Sequence, residues 1–106
     1  MKIAIIGRSE ILYDVAERLQ KMGHDLACVL TAKAAPEYTR TADDFNVLAS
    51  RHNIPFAQGS RIKDSYNFLQ KAEAEIAVSI NYTGVIPQEV IDLFPLGILN
   101  AHGGDL

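Results

Sequence analysis

The chain has 106 residues, with 48% hydrophobic and 22% charged side chains and a formal net charge of -3. This suits one small folded domain with a modest core, and it sets aside disorder, fibrous repeats and a second domain. Scattered Lys and Arg in an acidic chain argue against a nucleic-acid partner, and the single cysteine, Cys28, can build neither a disulfide framework nor a thiolate zinc site.

A reducing, cytoplasmic setting is therefore the expectation, and no apolar run is long enough to span a bilayer. Residues 2–6 form a continuous Ile-rich run ended by Gly7, the pattern of a strand buried on both faces of a parallel sheet. Ser9 can then cap a helix with apolar positions Leu12, Val15, Leu19 and Met22 at helical spacing, stopped by Gly23. Residues 26–31 are a second apolar strand, and residues 32–40, polar and containing Pro36, predict a mobile surface loop. Thr41 with Asp44 is a capping box, Phe45, Leu48 and Ala49 supply an apolar face, and Asn53 with Pro55 end that helix. A short third strand is expected at residues 54–57, and a third helix carrying Ile62, Tyr66 and Leu69 behind a Ser60 cap. Residues 76–82 form a fourth strand, Pro87 opens a short helix through Phe94, Pro95 ends it, and Ile98 begins a fifth strand.

Strands alternating with helices define an α/β domain: a Rossmann-like, mostly parallel sheet with helices on both faces. In such a sheet the segments after Gly7, Thr31, Ala57, Tyr82 and Leu99 emerge on one side, where open α/β sheets place their ligand crevice. Asn100 and His102 stand two apart at the end of the fifth strand and so leave the same face, an amide beside a titratable imidazole. Gly103 and Gly104 follow and permit close approach of a ligand. His24 and His52 fall near helix ends and read as surface residues, and Cys28 reads as a small core side chain. With one histidine in the expected crevice, no metal site is expected. The Gly7-Arg8-Ser9 turn opens a helix and could meet an anion. However, a dinucleotide fingerprint needs glycines where Ser9 and Leu12 stand, so a plain strand-to-helix turn is preferred to NAD binding.

The residues from Asn100 onward resemble the folate-dependent formyltransferase family, whose amino-terminal catalytic domain serves glycinamide ribonucleotide, methionyl-tRNA and sugar-amine formyltransferases. The family signature is similar to Asn-x-His-x-Ser-Leu-Leu-Pro on a strand after a short helix, and Asn100, His102 and Leu106 match it. Gly104 and Asp105 depart, standing where the family usually carries Ser and Leu, so substrate-side details do not transfer. Upstream, residues 76–87 resemble the family's strand and loop before that helix.

The resemblance implies formyl transfer from 10-formyltetrahydrofolate, as cosubstrate, to an amine acceptor, through a tetrahedral intermediate. Asn100 would be an oxyanion donor, and His102 a second donor or a proton shuttle. By position in the family pattern the backbone of Gly84, Val85 and Ile86 would line the pterin pocket, although an ordinary strand-to-helix connection reads almost as well there. The family's catalytic Asp comes from a later loop, and Asp105 does not stand in for it. Residues 1–106 are accordingly expected to be the amino-terminal portion of a formyltransferase domain, truncated or incompletely represented and turning over little or nothing alone. The fifth strand would then leave an apolar sheet edge that favours homo-oligomers. The acceptor (nucleotide precursor, aminoacyl-tRNA, amino sugar or carrier-bound amino acid) is not fixed by these residues. Two rivals are a non-enzymatic α/β module binding an anion or a protein partner and, more remotely, an NAD-dependent oxidoreductase.

Overall fold

A computed structural model describes residues 1–32, 41–59, 61–80 and 86–101. Five strands, β1 (Lys2–Gly7), β2 (Asp25–Thr31), β3 (Phe56–Gln58), β4 (Ile76–Ile80) and β5 (Ile98–Ala101), form one sheet in the order β3-β2-β1-β4-β5. Every neighbouring pair is parallel. Helices α1 (Glu10–Lys21), α2 (Ala42–Arg51), α3 (Tyr66–Ala72) and α4 (Gln88–Ile91) lie between them in the chain, with a 3-10 turn at Ile62–Ser65 running into α3.

The apolar run of β1 is continuous because both its faces are covered. Ile3 and Ile5 point into a core with Leu12 and Ala16 of α1 and with Phe45, Leu48 and Ala49 of α2. Ala4 and Ile6 point into a second core with Ile62, Leu69, Val90 and Phe94. Strand alternation thus distributes one hydrophobic segment between two layers of helix, as a central parallel strand requires. Burying an aliphatic side chain of this kind contributes about 1.5–3 kcal/mol, so these two layers carry most of the folding drive. At the edge the same logic fails. Leu99 of β5 pairs with Val78, on the α1 and α2 side, but α1 packs over β1, β2 and β4, and Leu99 stays 62% exposed.

The helix ends carry most of the differences from expectation. The capping box at α2 is formed, with the Thr41 amide donating to Asp44 Oδ2 at 2.8 Å. Ser9 occupies the position before α1, but its φ of 94° lies outside the extended region a capping side chain uses, and it makes no side-chain cap bond. Pro87 precedes α4 rather than opening it: its extended backbone (φ -71°, ψ 156°) leaves its carbonyl to accept from the amides of Val90 and Ile91. The helix then closes at Ile91, and single turns through Leu93 and Phe94 lead to Pro95. β3 starts at Phe56, after Pro55, which has no N–H to give a ladder. Arg61 precedes the 3-10 turn, and the expected cap Ser60, the loop at 33–40 and the end of the fourth strand at 81–82 lie outside the described residues.

Candidate active site

With all strands parallel, Gly7, Thr31, Gln58, Ile80 and Ala101 end at one edge of the sheet. The chain leaves β1 towards β2 on one side and later returns to place β4 on the other, so the topological switch point lies between the ends of β1 and β4. Those two ends are drawn tightly together. The Arg8 amide donates to the Ile80 carbonyl at 3.0 Å, and a Cβ built on Gly7 would stand 2.0 Å from that oxygen. Gly7 also has φ +136°, a conformation that side chains with a Cβ rarely adopt, so the close approach and the turn both demand glycine.

Polar groups gather at this edge. Ser9, at 2% exposure, carries a buried hydroxyl with no hydrogen-bond partner among the described residues, and Glu10 Oε2 beside it is likewise buried and unpartnered. Ser79, fully buried on β4, also has an unpartnered hydroxyl. Asn100 lies on β5 opposite Ser79 and is exposed.

Asn100 is therefore placed at the carboxyl end of its strand with its side chain accessible, the position expected of it. Ile86 is partly buried and packs against the core that contains Val90 and Phe94. His102, Gly84 and Val85 lie outside the described residues. The register that sets Ser79 opposite Asn100 was not legible in the sequence, because it joins two strands about twenty residues apart in the chain.

A polar concavity lies away from this edge. A surface cavity of about 300 Å³ is lined by Lys2, Gln20, His24, Asp25, Leu26, His52 and Ile54, at the amino ends of β1 and β2. Among the described residues no group of three or more His, Cys, Asp and Glu side chains could hold a metal ion. Cys28 is sealed in the core, and burial pushes its thiol up to about 12, which removes it as a nucleophile at neutral pH. Between α1 and α2, Arg51 donates to Glu17 and to Tyr13 Oη, and this guanidinium holds the Glu17 carboxyl below its usual range. These groups lie on the helical layer and tie α1 to α2. No helix among the described residues is long and apolar enough to cross a membrane.

A doubly wound, five-stranded parallel sheet with its switch point at β1 and β4 is a Rossmann-like architecture, and the exposed carboxamide of Asn100 stands on β5, the strand next to β4. Residues 1–104 match the family model described as formyl transferase, and the chain belongs to that family. Among its relatives is the methionyl-tRNA formyltransferase of Solibacter usitatus (strain Ellin6076), 30% identical over 107 residues that cover 96% of this chain and 34% of the relative. The methionyl-tRNA formyltransferase of Thermotoga sp. (strain RQ2) is 26% identical with the same coverage, 96% and 34%. The chain thus spans about a third of the length of the curated relatives it matches. In fold it is similar to glycinamide ribonucleotide transformylase 1 from Geobacillus kaustophilus, with a TM-score of 0.62, 13% identity, and coverage of 93% of this chain and 56% of that one.

Proposed function

We propose that the chain carries the formyl-donor half of a folate-dependent formyl transfer site. In this reading 10-formyltetrahydrofolate is the cosubstrate, bound along the carboxyl edge of the sheet by the segment that includes Gly84, Val85 and Ile86. An acceptor amine attacks the formyl carbon. Negative charge develops on the formyl oxygen, and Asn100 donates to it from Nδ2. His102 supplies a second N–H, or moves the proton from the attacking amine to the departing folate nitrogen. Charge built in the transition state and absent from the bound donor is where a fixed hydrogen-bond donor accelerates the step.

The observation that carries the reading is the position of Asn100, exposed at the end of β5, in a chain matched over residues 1–104 by the formyl transferase family model. The relatives are named for methionyl-tRNA and the fold neighbour for glycinamide ribonucleotide, so what they have in common is the formyl group transferred. The donor side is accordingly assigned to this chain, and the acceptor is left to segments outside it.

Calorimetric titration with a non-transferable analogue of 10-formyltetrahydrofolate tests the reading. Saturable one-to-one binding is expected, and Asn100→Ala should leave the dissociation constant within about threefold, because a donor aimed at the transition state adds little in the ground state. Absence of saturable binding at millimolar analogue contradicts it. Turnover by the 106-residue chain alone at rates typical of enzymes, on the order of 10 per second, would contradict the assignment of only half a site.

A further inference from the structure

The cavity at the amino ends of β1 and β2 lies at the opposite end of the sheet from Asn100 and has no part in formyl transfer as described above. Its volume of about 300 Å³ is enough for a small ligand. Lys2 and Asp25 line it as register partners, the first residues of adjacent parallel strands, so a positive and a negative side chain start about 4.8 Å apart. Both side chains are exposed.

The frame that carries them is fixed. The Lys2 amide donates to Glu75 Oε1 at 3.1 Å, and the Asp25 amide donates to the Met1 carbonyl at 3.0 Å. On the helical side α1 and α2 both finish at this end, with His52 as the residue that closes α2 and the amides of His52 and Ile54 donating to the Ala49 carbonyl at 3.2 and 3.0 Å. Helix carboxyl ends carry the negative pole of the helix dipole, so the wall beside His52 favours positive charge. Leu26 and Ile54 add aliphatic surface to the same cavity.

Charge decides what such a cavity can take. A simple anion meets Lys2 but is opposed by Asp25 and by two helix ends, and a simple cation is opposed by Lys2. A ligand that carries both signs on neighbouring atoms, with an aliphatic group beside them, is opposed by none of these. We propose that this cavity is a binding site for a zwitterionic α-amino acid with an aliphatic side chain: its carboxylate lies at Lys2, its ammonium at Asp25 and the helix ends, and its side chain against Leu26 and Ile54. 10-Formyltetrahydrofolate has carboxylates but no ammonium, so the formyl donor does not answer this description, and the proposal stands apart from the formyl-transfer reading.

The test is a titration of ¹⁵N-labelled chain with L-leucine, run beside 4-methylpentanoate, which lacks the ammonium, and 3-methylbutylamine, which lacks the carboxylate. Leucine should give saturable amide shifts at Lys2, Asp25, Leu26 and His52 with a dissociation constant in the roughly millimolar range, and each single-charge analogue should bind at least about fivefold more weakly. Lys2→Gln and Asp25→Asn should each weaken leucine about three- to fivefold, as expected for loss of one largely exposed ion pair, while core amides along β1 and β2 keep their positions. Absence of saturable shifts at about 50 mM leucine would overturn the proposal, since binding weaker than this is not a site. An analogue that binds as tightly as leucine would overturn it too, by showing that only one charge is recognised.

Discussion

Replacing Gly7 by alanine tests how the crevice is built. Two costs act at once. The backbone at φ +136° is hostile to any residue with a Cβ, which costs roughly 1–2 kcal/mol. The added methyl would also meet the Ile80 carbonyl, 2.0 Å from its oxygen and 2.9 Å from its carbon. Both are backbone atoms held in the β1–β4 ladder, so they cannot swing aside as a flexible side chain would, and overpacking of this kind costs about 1–3 kcal/mol. The sum, about 2–5 kcal/mol, is a large part of a small domain's total of about 5–15 kcal/mol. Urea unfolding followed by circular dichroism should show the midpoint falling by about 0.7–5 M, given slopes of about 1–3 kcal/mol/M. Gly23→Ala is the internal control: its φ is +95°, but nothing lies within 4 Å of the added Cβ, so it should show the backbone cost alone. If Gly7→Ala shifts the midpoint no more than Gly23→Ala does, the close approach of β1 and β4 is not as described.

Three further outcomes follow from the helical layers and the sheet edge. Because Arg51 holds the Glu17 carboxyl below its ordinary 4.5, the stabilisation from this pair is complete above that pH and is lost as pH falls through the lower folded value. Wild type should therefore exceed Arg51→Ala in thermal midpoint at neutral pH, with the gap closing in acid, and a pH-independent gap would refute the linkage. Cys28, with its thiol pushed up to about 12, should be inert to a thiol-specific chromogenic reagent at pH 8 until the chain is unfolded by urea, and prompt reaction in the folded state would contradict its burial. Leu99, 62% exposed on the edge strand, should support concentration-dependent self-association by sedimentation that Leu99→Lys weakens, and an unchanged sedimentation profile would dismiss that edge as the contact.

Much of this architecture was legible in the residues because local patterns and tertiary packing agree. The Ile-rich run of β1 reads as doubly buried and is so, and Thr41 with Asp44 reads as a capping box and forms one. Where local chemistry has several solutions the reading slipped by a few residues. Pro87 suits either the first helical position or the residue before it, and the carbonyl bonds to Val90 and Ile91 select the latter. Ser9 has the composition of a cap, but beside the tight apposition of Gly7 and Ile80 it adopts a positive φ and makes no side-chain cap bond. The place of Asn100 near the end of β5 was legible because it is local information. That Ser79 lies opposite it was not, since the pairing joins strands more than twenty positions apart.

The most direct test of the account is to map amide shifts in the ¹⁵N-labelled chain on titration with the non-transferable analogue of 10-formyltetrahydrofolate. Shifts should concentrate at Arg8, Ser9, Ile86 and Asn100, all at or beside the carboxyl edge of the sheet. Shifts centred instead on Lys2, His24, Asp25 and His52, around the cavity at the opposite end, would contradict it.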